Sequence, residues 1–395
     1  MDLLLRAATL AAVAGMMASA GSAHAARAYI GTYTPNLADP TAYASGTGEG
    51  IYLVNVDDTT GALSGLKLVA KDRSPAWLVL SADNRFLYAI NEIDIHGPGK
   101  SGSVTAYAVD AKSGALRKLN TVDSGGAMPC YISIHASGKF ALVANYAGGS
   151  FSVIPIKADG SLGEATDVVK PVGPASSASA VDAPPGQGRA QTGRNTRGHM
   201  IASDPSGLYV VGDDAGRDRI FVWKLTTTGK LSEVSVTNAL AGSAPRHFGF
   251  SPDGKTLYQI GEYNVRLTTY DFAGGRLTPK GPSLSALPDG YRGSASASRL
   301  LVSADGKHVY SANRTHNSIA TFAVGAGGIP TKVATTSTEG EHPRSLTIDP
   351  AGKFFYSLNL RANNIATFRL DPRGVPKFTG TFLAVGAPAV MVFLP

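Results

Sequence analysis

The chain has 395 residues, 43% of them hydrophobic and only 16% charged, which excludes a mainly disordered chain and allows a large core. Lys and Arg number 36 against 29 Asp and Glu, a formal charge of +7. The basic residues form no runs, so the charge argues against nucleic-acid binding and favours a small anionic ligand.

In chain order, residues 1–25 read as a signal peptide. Arg6 gives a thin positive start, Ala7 to Ala20 carry no charge, and Ala23-His24-Ala25 has the small-x-small pattern of a cleavage site. The apolar stretch is shorter than the about 20 residues a spanning helix needs. The expectation is a mature chain of residues 26–395, periplasmic or secreted, with no membrane contact after cleavage. The single cysteine, Cys130, excludes an internal disulfide and a Cys-based zinc cluster, and reads as a small buried residue.

A turn then recurs as S-A-D-N-R (81–85), H-A-S-G-K (135–139), D-P-S-G-L (204–208), S-P-D-G-K (251–255), S-A-D-G-K (303–307) and D-P-A-G-K (349–353). Its fourth residue is Gly or Asn, the types that accept the left-handed backbone of a tight hairpin. Nine residues before that position stand Pro75, Pro129, Gly198, Pro245, Ala297 and Pro343; seven after it stand Asn91, Asn145, Asp214, Gly261, Asn313 and Asn359. Apolar and β-branched runs fill both intervals, a third run follows, and after a Gly-containing turn comes a more polar fourth. Four strands with the polar one outermost describe a propeller blade. Six such units follow one another, and Pro388–Phe393 adds an inner strand whose partners are Ala28–Ile30, Ile51–Val54 and Leu66–Val69. The prediction is an all-β, seven-bladed β-propeller, four antiparallel strands per blade, closed by pairing of the N- and C-terminal strands, in one domain. Its longest spacing contains a Pro-, Gly-, Ala- and Ser-rich insertion at about 170–196, read as a flexible loop. Arg189, Arg194 and Arg197 either reach a bound anion or sit on a solvated loop.

In this architecture the start of each inner strand and the loop after each second strand meet at one mouth of the channel. Residues that break the blade-to-blade consensus there are the candidates for chemistry: His199, Arg246, His247, Glu262, Arg314 and Arg344, with Arg197, Tyr131 and Asn145 as further ligand contacts. Arginines grip an anion in bidentate fashion, and Glu or His activates water when held within reach. Glu262 or His247 would orient water, His199 would assist proton transfer, and Arg246, Arg314 and Arg344 would hold the anion. The sequence has no H-E-x-x-H and no G-x-S-x-G elbow, so neither a metal, a cofactor nor a serine nucleophile is predicted. Asp83, Asp253 and Asp305 read as turn caps. Asn91, Asn145, Asn313 and Asn359, recurring in register, read as corner residues bonding the backbone, and Asp218 and Arg219 as a pair across a loop edge.

Gly31-Thr-Tyr-Thr34, Asn91-Glu92, Pro129-Cys130, Ala144-Asn-Tyr146, Asp214-Ala-Gly-Arg-Asp-Arg219, Pro245-Arg-His247, Glu262, Ser311-Ala-Asn-Arg314 and Pro343-Arg344 together resemble the seven-bladed lactonase family, which includes propeller-type 6-phosphogluconolactonases and carboxymuconate cyclases. The chain has Pro129-Cys130-Tyr131 where that family commonly has Pro-Cys-His, and Thr196-Arg197-Gly198-His199 where it has Pro-His-x-His. The resemblance implies metal-free opening or closing of a small anionic or sugar-like lactone at the channel mouth. The alternatives are an exported propeller without catalysis that binds a ligand or a protein partner, and a cyclase forming a lactone from a muconate.

Overall fold

The hairpin turns fold as their residue types require. In the six recurring turns Asn84, Gly138, Gly207, Gly254, Gly306 and Gly352 all have φ between +57° and +71°, and in three of them an aspartate closes the turn. Ser81 Oγ donates to Asp83 Oδ1, Ser251 Oγ to Asp253 Oδ1 and Ser303 Oγ to Asp305 Oδ1, each at 2.6 Å, so these acids serve the turn. The computed structural model describes residues 26–36, 45–95, 101–172, 180, 182–185 and 195–394. The predicted signal peptide and most of the 170–196 insertion, Arg189 and Arg194 included, lie outside the described residues.

Each hairpin opens a sheet of four antiparallel strands, and seven such sheets form the propeller. The inner strands are Trp77–Leu80, Pro129–Ile134, Gly198–Ser203, Pro245–Phe250, Ala297–Val302, Pro343–Ile348 and Pro388–Leu394, defining blades 1 to 7. Blade 7 takes its second to fourth strands from the other end of the chain, Ala26–Thr32, Gly50–Val56 and Leu63–Lys71. The seam is antiparallel, with Tyr29 opposite Val392 and Ile30 opposite Met391, and it covers edges that would otherwise offer unpaired backbone groups. Blade 4 departs from the four-strand pattern, because its third strand also pairs with a separate short strand, Leu284–Ser285.

Two repeated devices hold the blades, one between neighbours and one within a blade. A tyrosine in the second strand reaches a glycine carbonyl in the next blade: Tyr29 to Gly114, Tyr88 to Gly160, Tyr258 to Gly328, Tyr310 to Gly374 and Tyr356 to Gly61, at 2.8–3.1 Å. Each bond satisfies a buried hydroxyl and contributes about 1 kcal/mol. The second device is the corner asparagine. Nδ2 of Asn91, Asn145, Asn313 and Asn359 donates to the carbonyl of Arg73, Ser124, Ala286 and Thr338, in the loop that leads into the same blade. The core lies between the blade faces, where large side chains such as Trp223, Tyr270 and Phe151 are buried.

Candidate active site

The mouth is built by a backbone rule that holds in six blades. The residue following the second strand, Glu92, Tyr146, Ala215, Glu262, Arg314 or Leu360, donates its N–H to the carbonyl of the residue preceding the inner strand's Pro, Gly or Ala, at 2.7–3.0 Å. Its side chain is thereby hung beside the start of the inner strand. That start carries a β-bulge. Pro129, Gly198, Pro245 and Pro343 pair with the corner residue, the residue two further on pairs with the next partner, and Cys130, His199, Arg246 and Arg344 are left as the extra residue. A bulge re-aims the side chain it displaces.

The approach to the bulge is itself strained. Ser74, Met128, Ala244, His342 and Ala387, each just before a proline, have φ between +42° and +60°, a region unfavourable for such residues. Hydrogen bonds hold all five: Ser74 N–H donates to Thr34 Oγ1 at 3.1 Å and Met128 N–H to the Ile93 carbonyl at 2.8 Å, and carboxylate or amide oxygens take the other three. Asp218 Oδ1 accepts the N–H of Ala244, Asn317 Oδ1 that of His342 and Asn363 Oδ1 that of Ala387, all at 2.8 Å. Asp218 also accepts from Gly242 N at 2.8 Å. The expected Asp218–Arg219 pair is therefore corrected: the carboxylate is spent on two backbone donors in the turn that aims Arg246.

Arg246, Glu262, Arg314 and Arg344, taken from three blades, meet at this mouth. Glu262 lies between two guanidiniums, with Arg246 Nε 3.4 Å from Oε2 and Arg314 Nη2 against Oε1. Arg314 also donates to Ser296 Oγ and the Ala297 carbonyl, and Arg246 Nη1 donates to the Ser298 carbonyl at 2.6 Å. A second group faces them. Arg344 Nη2 is 3.5 Å from Glu92 Oε2, Arg344 Nε donates to the Tyr33 hydroxyl at 3.1 Å, and that hydroxyl donates to Glu92 Oε2 at 2.7 Å.

The two carboxylates are driven apart in acidity. Burial pushes Glu262 up, but Arg314 and then Arg246 overcome it and hold the group below its ordinary value. For Glu92 burial wins over the pull of Arg344 and Tyr33, and its proton is held to higher pH. Burial, reinforced by Arg246, keeps both His199 and His247 well below the usual imidazole range, so both are neutral at pH 7. Three arginines against two glutamates leave positive charge in excess whether or not Glu92 keeps its proton, which suits an anion or a developing oxyanion.

The other predicted residues divide between rim and channel. Arg197 is at the rim, its Nη1 donating to Tyr146 OH at 2.7 Å with the guanidinium over that ring. His199 packs edge-on between Tyr146 and His247, with Nδ1 3.8 Å from Cys130 Sγ. Cys130 is buried, and its thiol donates to the carbonyls of Gly198 and His199. Tyr131 and His247 do not reach the open mouth. With Trp77 they form an aromatic plug across the channel, ring centres 4.6–5.5 Å apart, and His247 touches the site through the His199 ring and through its Nε2, 3.4 Å from Arg246 Nη1. Asn145 is buried beside the corner: its Nδ2 faces Ser124 O, Ser150 Oγ and Ser152 Oγ at 3.0 Å, while its Oδ1 has no hydrogen-bond partner among the described residues.

Tyr33 was not among the sequence candidates, and Glu92, which stands at the mouth in the same register as Glu262, was given no role there. His342, beside the arginines and pushed down to about 3 first by burial and then by Arg314, was also missed. Among the described residues no group of three or more His, Cys, Asp or Glu is placed to hold a metal ion.

Comparison with known proteins agrees with the fold. Residues 27–393 match the family model described as lactonase, 7-bladed beta-propeller. The chain is 34% identical over 325 residues to the 6-phosphogluconolactonase of Bacillus subtilis, covering 82% of this chain and 84% of that protein. Among solved structures, the periplasmic gluconolactonase of Pseudomonas aeruginosa superposes with a TM-score of 0.83 at 28% identity, covering 94% and 99% of the two chains. A putative 6-phosphogluconolactonase from Bacteroides fragilis gives 0.81 at 30% identity, covering 95% and 99%. A ring of seven blades that sets its arginines and glutamates around one mouth, matched over nearly its whole length, makes this chain a member of the seven-bladed β-propeller lactonase family.

Proposed function

We propose that the protein is a hydrolase that opens a sugar-type lactone at the channel mouth, in the manner of a 6-phosphogluconolactonase. The observation that carries the reading is Glu262 held between Arg246 and Arg314 opposite the Glu92–Tyr33–Arg344 group. Arg246 and Arg314 face the lactone carbonyl and stabilise the oxyanion that forms on attack. Glu262, ionised, orients the attacking water, and neutral His199 accepts its proton. The new bond joins the water oxygen to the acyl carbon; the bond from that carbon to the ring oxygen breaks. Glu92, which keeps its proton to higher pH than Glu262, returns a proton to the ring oxygen. The product is a hydroxy acid, and its carboxylate leaves from the arginines with one net proton released to solvent.

The predicted signal peptide, together with the likeness to a periplasmic gluconolactonase, supports action outside the cytoplasm. The test is acid release in a pH-stat from gluconolactone, 6-phosphogluconolactone and a muconolactone. The reading expects a rate above the spontaneous one on a sugar lactone, falling by at least about 10²-fold in Glu262→Gln and in Arg246→Ala. Rates equal to the spontaneous ones on all three would turn the assignment to a binding propeller.

A further inference from the structure

Below the plug the channel opens again. A cavity of about 390 Å³ runs from Trp77, Tyr131 and Arg299 to Ile348, Pro350 and Phe393. Pro350 belongs to the hairpin turn 349–353, so the cavity opens on the hairpin face, the end of the channel away from Glu262.

Arg299 differs from the three arginines of the mouth. Each of those has a glutamate against it; Arg299 has no carboxylate and no hydrogen-bond acceptor among the described residues. Its guanidinium carbon lies 4.6 Å from the centre of the Trp77 ring, and its Nε is buried without a hydrogen-bond partner. Arg299 itself is half-buried, and a cation–π contact does not replace the hydrogen bond that its buried Nε lacks. The walls are mostly apolar, with Ile348, Val390 and Val392, and carry the hydroxyl residues Ser133, Ser345 and Thr347, and the volume lies within the range of small-molecule sites. A single cation among a few hydroxyls and mostly apolar walls matches one negative charge on an apolar body. A dianionic phosphate would need more donors, and a polyhydroxylated acid more polar lining.

We propose that this lower cavity is a second binding site, entered from the hairpin face, for amphiphilic monocarboxylates anchored by Arg299. The site is independent of lactone chemistry and separated from it by the Trp77–Tyr131–His247 plug. Isothermal titration of octanoate into the purified protein at pH 7 tests it. Saturable one-to-one binding is expected, weakened at least ~tenfold in Arg299→Gln by loss of the charge-assisted contact, and equally weakened in Ile348→Phe, which fills the entrance without touching Arg299. Binding unchanged in Glu262→Gln places the ligand below the plug. No saturable binding, octanoate binding as tight in Arg299→Gln as in wild type, 1-octanol binding as tightly as octanoate, or loss of binding in Glu262→Gln would each overturn the proposal.

Discussion

Glu262→Gln keeps the outline of the side chain and removes the charge that Arg246 and Arg314 share. Arg246 is 1% and Arg314 7% exposed, so solvent screens little of the loss. Removing one partner from a buried ion pair costs about 3–5 kcal/mol. The amide still accepts a hydrogen bond, which puts the expected cost near the lower end, about 3 kcal/mol. An unfolding entropy of about 2 cal/mol/K per residue over this length turns that into a fall in Tm of about 4 °C. The assay is thermal unfolding by circular dichroism at pH 7 and at successively lower pH. The folded-state acidity of Glu262 is held below its ordinary value of 4.5, so its contribution is complete above the unfolded value and disappears as pH falls through the folded one. The difference between wild type and variant must therefore be greatest near neutrality and shrink below about pH 4. Equal melting at pH 7, or a difference that persists unchanged into strong acid, would show that the guanidiniums do not grip this carboxylate.

Tyr33→Phe removes the hydroxyl linking Glu92 to Arg344; a fall of about 1.5–3 kcal/mol in urea-unfolding stability is expected, and a value within error of wild type would dissolve that triad. Asp218→Ala leaves the N–H groups of Gly242 and Ala244 without their acceptor. It should cost about 1–3 kcal/mol and lower kcat/KM through Arg246, whereas full activity with a lowered Tm would confine Asp218 to stability. His342 is neutral when folded, with its proton affinity lowered from 6.5 to about 3. Its contribution is present above the unfolded value and lost as pH falls from about 6.5 toward 3, so His342→Gln should flatten the Tm profile across that window, and an unaltered slope would contradict the assignment. Tyr310→Phe, cutting the bond to Gly374, should cost about 1 kcal/mol in the same unfolding assay with unchanged kcat/KM.

The blades were legible because each hairpin repeats a turn chemistry that permits one backbone conformation, and Asn84 and Gly254 sit where that chemistry put them. The site was legible in part for the opposite reason: Arg246, Glu262 and Arg314 interrupt a repeat, and an interruption in a fixed register is visible in one chain. What alternation could not reveal is the bulge. It splits the neighbours Arg246 and His247, sending one to the mouth and the other into the plug. Tyr33 was hidden because its partners come from blades 1 and 6 and meet it only across the closed ring. Glu92 was legible by register as a second glutamate at the mouth, but its contact with Arg344 and its raised proton affinity follow from burial and neighbours that only the fold supplies.

The seam that closes the ring also secures one corner of the mouth. Tyr33 is anchored by its N–H to the carbonyl of Ala387, directly before the strand Pro388–Leu394. Without that strand Arg246 and Glu262 keep their own blade, but Tyr33 loses the acceptor of its N–H and Ala26–Thr32 loses its inner neighbour. Ring closure and the setting of the Tyr33–Glu92–Arg344 group are therefore one event.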